Sequence, residues 1–306
     1  MIFKGRKVIF IGNLIFSKEL LNTVFLNKKF KVIGIISKNK SLFNSDQFSL
    51  KNTAKFKKIK YFNYTKKNKK KMKTFIKKLK PDYIFCFGWS HILNSDIIQI
   101  PSKKCIGYHP TLLPMNKGRH PIIWAIVLGL KETGSSFFEI MNKIDSGKIL
   151  SQKKVKISIR ETSTSLYKKL ILVAKKQLKN LLKKIESNTY PKKISNKKIY
   201  SNYWRKRNFE DGVIDFRQSS KSIIRLVNAL KYPYQNASIK IKNKFIKVQD
   251  CKLIKHNSRN YVNLEPGRII KTNNHMNLID VKCNDALLRI KLEKIKKEIF
   301  KESIYL

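Results

Sequence analysis

Two titratable side chains, His109 and Asp145, stand where groups that move protons are often found. His109 follows the apolar residues 105–108, which are typical of the end of a buried strand. Catalytic groups of open α/β sheets collect where a strand becomes a loop. Asp145 opens a turn with Ser146 and Gly147, and a nearby carboxylate can orient an imidazole ring. The pair indicates acid–base chemistry, although a strand-end histidine can lack a catalytic role and such an aspartate can be only a turn former.

The surrounding residues predict the elements that hold this pair. A proline-rich loop follows His109, and Pro121 then begins a helix whose apolar face includes Trp124 and Val127. Residues 135–141 predict a strand, and residues 81–93 predict a buried strand that leads into Gly88 and Trp89.

Six short motifs occur here in a fixed order. They comprise His109, residues 111–114, residues 118–121, residues 124–126, residues 132–134 and residues 145–149. Together they resemble the folate-dependent formyltransferases, whose pattern is Asn-x-His-x-Ser-Leu-Leu-Pro, Gly-Arg-x-Pro, Trp-Ala-Ile, Glu-Thr-Gly and Asp-x-Gly-x-Ile. One departure matters chemically, because Gly107 occupies the position where the family has asparagine.

The resemblance implies that a formyl group moves from a nitrogen of 10-formyltetrahydrofolate to an amine. The attacking amine must lose a proton, the oxyanion must be stabilised, and the leaving nitrogen must gain a proton. The resemblance makes His109 the general base or oxyanion stabiliser and Asp145 the residue that orients it. Loss of one oxyanion donor typically costs about 100- to 1000-fold in turnover. The Gly107 amide, a charged His109 and Tyr108 are the candidates to replace the asparagine.

The same resemblance assigns residues to the cofactor. Residues 81–93 are similar to the wall of the family's pterin pocket, and an apolar, aromatic wall suits a flat heterocycle. Arg119 matches a folate-contacting arginine, although Arg119 as a surface charge and Trp89 as a core residue are alternatives. The residues expected to bind the cofactor are Phe87, Gly88, Trp89, Thr111, Leu112, Leu113, Pro114, Arg119, Met141, Asn142, Lys143, Ile144 and Asp145. The spacing of cysteines and histidines predicts no metal site.

The predicted fold is α/β: a Rossmann-like, doubly wound, mostly parallel sheet followed by a small β-rich, open barrel-like C-terminal domain. Residues 7–11 and 30–36 predict the first strands, with a helix between them capped at Ser17. Only Gly12 follows the first strand, so a dinucleotide fingerprint is missing. We expect a catalytic domain over 1–188, a linker over 189–203 and a C-terminal domain over 204–306. Residues 161–185 predict a long helix with Leu172 on its apolar face.

Composition indicates a globular protein, because 42% of the 306 residues are hydrophobic. The formal net charge of +49 suggests nucleic acid or an anionic surface. Its excess of lysine over arginine, with abundant asparagine and isoleucine, favours the drift of an AT-rich genome instead. The scattered cysteines predict buried thiols. No stretch is apolar enough to span a bilayer, so we expect a cytoplasmic protein without a membrane partner.

The acceptor amine remains open between two classes. The string GRHPIIWAIVLGLKETG resembles the amino-sugar formyltransferases, which act on nucleotide-linked 4-amino sugars. Methionyl-tRNA formyltransferases share the two-domain length and a basic surface, which makes tRNA the alternative acceptor. A non-catalytic folate-binding relative is the third alternative, because of Gly107. The sequence also leaves a homodimer open.

Overall fold

The computed structural model describes residues 5–39, 45–189, 200–241, 243–254, 261–293 and 304–306. The chain divides into two compact units. The first comprises residues up to Pro121, Glu132–Lys156 and Tyr167–Arg205, and the second comprises Ile122–Lys131, Ile157–Leu166 and the residues from Lys206 onward. The predicted linker boundaries stay a prediction, since residues 190–199 of that linker lie outside the described residues.

The first unit contains a seven-stranded sheet that positions the site. Its strands are β1 (Arg6–Ile11), β2 (Phe30–Ser37), β3 (Lys60–Asn63), β4 (Tyr83–Cys86), β5 (Lys104–His109), β7 (Glu132–Glu139) and β8 (Ile149–Lys156). A separate two-stranded pair joins β6 (Lys117–Gly118) to β9 (Tyr203–Trp204). The large sheet has the order β3-β2-β1-β4-β5-β7-β8. The first five strands run parallel, whereas β7 and β8 are antiparallel to their neighbours. The mostly parallel, Rossmann-like prediction is confirmed.

Seven α-helices lie in the described part of the chain. They are α1 (Ile15–Phe25), α2 (Lys51–Phe56), α3 (Lys69–Leu79), α4 (Ser95–Ile98), α5 (Pro121–Val127), α6 (Ser163–Glu186) and α7 (Ser220–Ala229). Short 3-10 turns occupy Lys66–Asn68 and Glu210–Gly212. In α3, Met72 and Ile76 are buried while most of the lysines face solvent, as the apolar spacing predicts. Within the described ranges, no helix has the length and apolar character needed to cross a membrane.

The buried runs of β1 and β4 explain the core of this unit. Ile84 and Phe85 of β4 and Ile9 and Phe10 of β1 have no exposed surface, as expected for parallel strands covered on both faces. All four cysteines of the chain are buried and free. Burial raises the pKa of the Cys86 thiol to about 12, so this thiol is unreactive at neutral pH.

Two local predictions are wrong. The helix α1 begins at Ile15, and Ser17 lies inside its first turn, where its hydroxyl accepts a hydrogen bond from the Leu14 amide. Leu172 of α6 is 61% exposed and does not belong to the buried face. The buried residues of this helix include Leu170 and Leu178, because they share a face at helical spacing and Leu172 does not.

The second unit is built on a five-stranded antiparallel sheet with the order β10-β11-β14-β13-β12, and it confirms the predicted β-rich C-terminal domain. These strands are β10 (Ser238–Ile241), β11 (Lys244–Ile254), β12 (Ile269–Asn273), β13 (Leu278–Lys282) and β14 (Leu287–Leu292). Helix α7 is capped at its N-terminus by Ser219, whose side chain accepts a hydrogen bond from the Ser222 amide.

Candidate active site

His109 is the last residue of β5, and its side chain is nearly buried. The strand is held between parallel β4 and antiparallel β7, so the position of the ring is fixed by the sheet. The ring Nε2 lies 3.0 Å from the carbonyl oxygen of Asn116. A carbonyl oxygen can only accept, so Nε2 carries the hydrogen in this contact and the lone pair of a neutral ring lies on Nδ1.

Asp145 faces the other ring nitrogen. Its Oδ2 lies 3.7 Å from His109 Nδ1, which is too far for a direct hydrogen bond. The same oxygen accepts a hydrogen bond of 3.2 Å from the Gly118 amide. Asp145 has a φ of +49°, a left-handed conformation that aspartate tolerates better than most residues. The structure therefore brings the two predicted catalytic residues together at one edge of the sheet.

Gly118 is a position where glycine is required. Its φ is +101°, and a Cβ there would lie 2.4 Å from the backbone oxygen of Trp204. The close approach of these two backbones lets the loop that carries Gly118 pair with β9.

Gly107 lies on the same face of β5 as His109, since side chains alternate along a strand. A Cβ at this position would lie 2.8 Å from Ile140 Cγ1 and 3.0 Å from Phe138 Cζ. Apolar side chains therefore fill the place where the family has an asparagine. An asparagine could enter only if these two side chains moved.

The structure also places the candidates that were expected to replace the asparagine. Tyr108 points to the opposite face, where its hydroxyl accepts from Ser135 and its ring lies 4.5 Å from that of Phe16. Burial raises its pKa well above the usual value. Gly107 is paired with Phe138 in the antiparallel ladder between β5 and β7. Hydrogen-bonded pairs alternate along such a ladder, and Ile140 N donates to the Cys105 carbonyl, so Gly107 and Phe138 form the next hydrogen-bonded pair. The sheet therefore uses the Gly107 amide. A protonated His109 is the candidate whose donors are not committed to the core or the sheet.

The predicted cofactor residues after β4 take different positions. Phe87 is fully buried, its ring packs on Phe85 and Phe137, and its amide and carbonyl bond to Ile11 and Ser17, so Phe87 supports the segment from within. Gly88 has a φ of +69° and packs against Ser17. Trp89 is half-buried against the core. The exposed Arg119 donates from its guanidinium to the carbonyl of Ser90 at 2.9 Å, which ties its loop to this segment.

Trp89 belongs to a group of three rings that sequence reasoning missed. Its ring centroid lies 5.1 Å from that of Tyr64 and 5.3 Å from that of His91. Among the described residues, Trp89 Nε1 and His91 Nε2 are buried atoms without a hydrogen-bond partner. Burial lowers the pKa of His91, and the charges of Lys38, Arg119, Lys66 and Lys69 lower it further. Tyr64 lies outside every sequence motif, and only the order of the strands in the sheet brings it to Trp89 and His91.

The two remaining predicted segments differ in exposure. Thr111 is buried and its hydroxyl donates to the Met115 carbonyl, while Leu113 is buried ahead of a cis peptide bond to Pro114. These two side chains thus support the turn from inside. Leu112 is half-buried, as is Pro114. Residues 141–144 are exposed just before Asp145. In the described ranges no group of three or more histidine, cysteine, aspartate or glutamate side chains could hold a metal ion.

Comparison with known proteins defines the class. The formyl transferase family model matches residues 6–185, and the model of the formyl transferase C-terminal domain matches residues 207–303. The chain belongs to the formyl transferase family and is a formyltransferase enzyme.

Three similar proteins illustrate its range. The chain is 36% identical over 213 residues to the bifunctional polymyxin resistance protein ArnA of Wigglesworthia glossinidia brevipalpis. The matched region covers 68% of this chain but only 32% of that relative. It is 32% identical over 226 residues to the methionyl-tRNA formyltransferase of a Sulfurihydrogenibium species, covering 74% of this chain and 70% of that relative. Its fold is similar to WlaRD, a sugar 3N-formyltransferase crystallised with dTDP and 5-N-formyl-THF, with a TM-score of 0.70, 19% identity and coverage of 95% and 99% of the two chains.

Proposed function

We propose that this enzyme uses 10-formyltetrahydrofolate to formylate the amine of a nucleotide-linked amino sugar, specifically a 4-amino sugar. The observation that carries this proposal is the pairing of His109 with Asp145 at the end of β5. The Nδ1 atom of the His109 ring and the Oδ2 atom of the Asp145 carboxylate lie 3.7 Å apart.

The pair can move the proton that formyl transfer requires. When Nε2–H donates to the Asn116 carbonyl, the free lone pair of Nδ1 can accept a proton from the attacking amine. Asp145 stabilises the resulting imidazolium by its negative charge. When bound, the formyl donor would supply an electrophilic carbon, and the bond from this carbon to the folate nitrogen would break after the bond to the amine has formed. His109 then returns the proton to the departing nitrogen.

The protonated His109 ring would also stabilise the oxyanion in place of the missing asparagine. Apolar side chains fill the place beside Gly107, and Tyr108 points away. The imidazolium of His109 is therefore the group that would stabilise negative charge on the formyl oxygen.

The segment after β4 suits the folate ring. The buried Nε1 of Trp89 and Nε2 of His91 have no partner among the described residues, and a heterocycle with ring nitrogens and a carbonyl can supply one. Arg119, bound to the Ser90 carbonyl, lies where a folate carboxylate would be attracted. These features support a formyl-tetrahydrofolate donor. The related molecule 5-N-formyl-THF was present in the WlaRD crystal structure.

The nucleotide-sugar acceptor is proposed from the motif Gly118 to Pro121 followed by Trp124, and from the presence of dTDP in the WlaRD crystal structure. The alternative acceptor is methionyl-tRNA, which the Sulfurihydrogenibium relative and the charge of +49 support. A non-catalytic folate-binding role, the remaining alternative from the sequence, is disfavoured because both formyl transferase family models match the chain, although apolar side chains fill the space beside Gly107. The cytoplasmic location, the homodimer and the domain limits 1–188, 189–203 and 204–306 stay predictions.

Release of tetrahydrofolate from 10-formyltetrahydrofolate tests the proposal. The purified enzyme is offered dTDP-linked 4-amino sugars, dTDP-linked 3-amino sugars or methionyl-tRNA. We expect turnover with the 4-amino sugars. Turnover with tRNA alone would replace the acceptor, and folate binding without any turnover would favour the non-catalytic role.

Variants of the pair test the mechanism. His109→Ala should lower turnover by about 100- to 10,000-fold, the usual contribution of a positioned general base. Asp145→Asn should keep the bond from the Gly118 amide but lose the charge, and should also be impaired. His275→Ala replaces an exposed histidine and serves as the matched control. Full activity of His109→Ala would contradict the mechanism.

A further inference from the structure

A short segment at the C-terminal end of the predicted linker holds a loop that lies, in sequence, between the two catalytic candidates. We call residues 116–119 the site loop and residues 202–204 the strap. The Lys117–Gly118 and Tyr203–Trp204 strands pair in parallel register. Lys117 is buried, and its Nζ lies 5.2 Å from the centroid of the Tyr203 ring.

The four backbone amides of the site loop donate either to the strap or to Asp145. Asn116 N donates to Asn202 Oδ1 at 2.7 Å, and Lys117 N donates to the Asn202 carbonyl at 3.0 Å. Arg119 N donates to the Trp204 carbonyl at 3.0 Å. The fourth amide, from Gly118, goes to Asp145. The strap therefore fixes three amides of the site loop, and the fourth amide bonds to the carboxylate of Asp145.

The same loop supplies the partner of His109. The Asn116 carbonyl that accepts from His109 Nε2 belongs to a residue with a φ of +59°. Asparagine tolerates this left-handed conformation better than most residues, and a hydrogen bond from its surroundings gives it further support. The bond from the Asn116 amide to the Asn202 side chain is that support. Asn202 thus bonds directly to Asn116, whose carbonyl contacts the ring, and to Lys117, the residue before the Gly118 amide that bonds to Asp145.

We infer that Asn202 is a positioning residue for catalysis: through Asn116 it fixes the hydrogen-bond partner, and hence the tautomer and direction, of the His109 ring. The inference rests on the proposed function. Asn202 touches neither the ring nor Asp145 in the described contacts, and it acts through the backbone of the site loop. Its side chain is half-buried, so its effect on the stability of the whole fold is expected to be small.

Three variants separate positioning from general stability. Asn202→Ala removes the acceptor of the Asn116 amide. Asn202→Asp keeps an acceptor oxygen at the same place. Ser201→Ala changes the exposed neighbouring residue and is the matched control. Misplacing a catalytic group by about 1 Å can cost about 100-fold. We expect Asn202→Ala to lower kcat by 10- to 100-fold with little change in KM or Tm, and Asn202→Asp to recover most of kcat.

An activity-independent measurement keeps the inference distinct from the proposed function. The ¹⁵N signals of the imidazole of His109 report which ring nitrogen carries the proton. We expect Asn202→Ala to shift these signals, while Ser201→Ala and Asn202→Asp leave them near the wild-type positions. An enzyme inactive with all acceptors but with this shift would refute the proposed function alone. Unchanged ring signals and unchanged kcat in Asn202→Ala would overturn the inference, as would a failure of Asn202→Asp to recover either one.

Discussion

At the scale of single residues, Gly107 departs from the pattern in a way that its neighbours have accommodated. A bare glycine in a buried strand would leave a void, yet Ile140 and Phe138 approach to within about 3 Å of where a Cβ would stand. Close packing of this kind resists both removal and addition of a methyl group. The glycine is therefore part of a packed apolar cluster beside the histidine, and the asparagine cannot be restored by a single substitution.

Gly107→Ala tests this packing. The added Cβ would lie 2.8 Å from Ile140 Cγ1, so we expect the free energy of unfolding to fall by about 1–3 kcal/mol through overpacking. Ile140→Ala removes the obstructing atoms, and the double variant should recover part of that loss. Urea denaturation of the two single variants and the double variant gives the coupling energy, which we expect to be about 0.5–3 kcal/mol. Additive effects within 0.3 kcal/mol or so would show that the two residues do not compete for space.

At the scale of elements, Ser17 joins the start of α1 to the segment after β4. Its fully buried hydroxyl accepts from the Leu14 amide and donates to the Phe87 carbonyl at 2.7 Å. Gly12 and Gly88 both lie so close that a Cβ on either would come within 2.5 Å of Ser17 Oγ. A larger side chain has no space here. The helix thus fixes the backbone that we expect to meet the folate ring.

Ser17→Ala should loosen this junction. The half-buried Leu14 amide and the buried Phe87 carbonyl lose their partner, and we expect the free energy of unfolding to fall by about 1–3 kcal/mol. The KM for the formyl donor should rise more than kcat falls, because Ser17 supports the binding segment and not the proton-moving pair. Steady-state kinetics with chemical denaturation measures both effects. Ser187→Ala, on an exposed serine, is the control, and an unchanged KM in Ser17→Ala would contradict the role of the junction.

The elements also divide into those that sequence could predict and those that it could not. Strongly periodic segments such as α3 and apolar runs such as β4 follow from local patterns, which report burial directly. The pairing of Lys117–Gly118 with Tyr203–Trp204 has no such signal, since two residues carry no period and their partners lie more than 80 positions away. The ring group of Tyr64, Trp89 and His91 depends on strand order in the same way. Motifs located His109 and Asp145, but the residues that orient them come from long-range packing.

At the scale of the whole molecule, the charge is the dominant feature. The chain carries 68 lysines and arginines against 19 aspartates and glutamates. Several of these carboxylates are already paired, as in Lys175–Glu19 and Arg289–Asp280. Most lysines and arginines therefore have no carboxylate to pair with, since there are 68 of them and only 19 acidic residues. The repulsion among these positive charges opposes the compact state. The same field would attract any anionic substrate at low salt, and binding of tRNA would depend on salt more steeply than binding of a nucleotide sugar because it engages more phosphates.

Salt should therefore stabilise this protein. Raising NaCl from 20 to 300 mM shortens the Debye length from about 20 Å to about 6 Å, which screens repulsion between exposed lysines more than it weakens short ion pairs. We expect Tm to rise, by about 2–4 °C for each kcal/mol of repulsion relieved. Replacing the exposed Lys70, Lys71 and Lys78 of α3 by glutamine should raise Tm at 20 mM NaCl and have a smaller effect at 300 mM. Scanning fluorimetry of both proteins across the salt series measures this difference. A Tm that falls with salt would mean that attractive pairs outweigh the repulsion of the +49 charge.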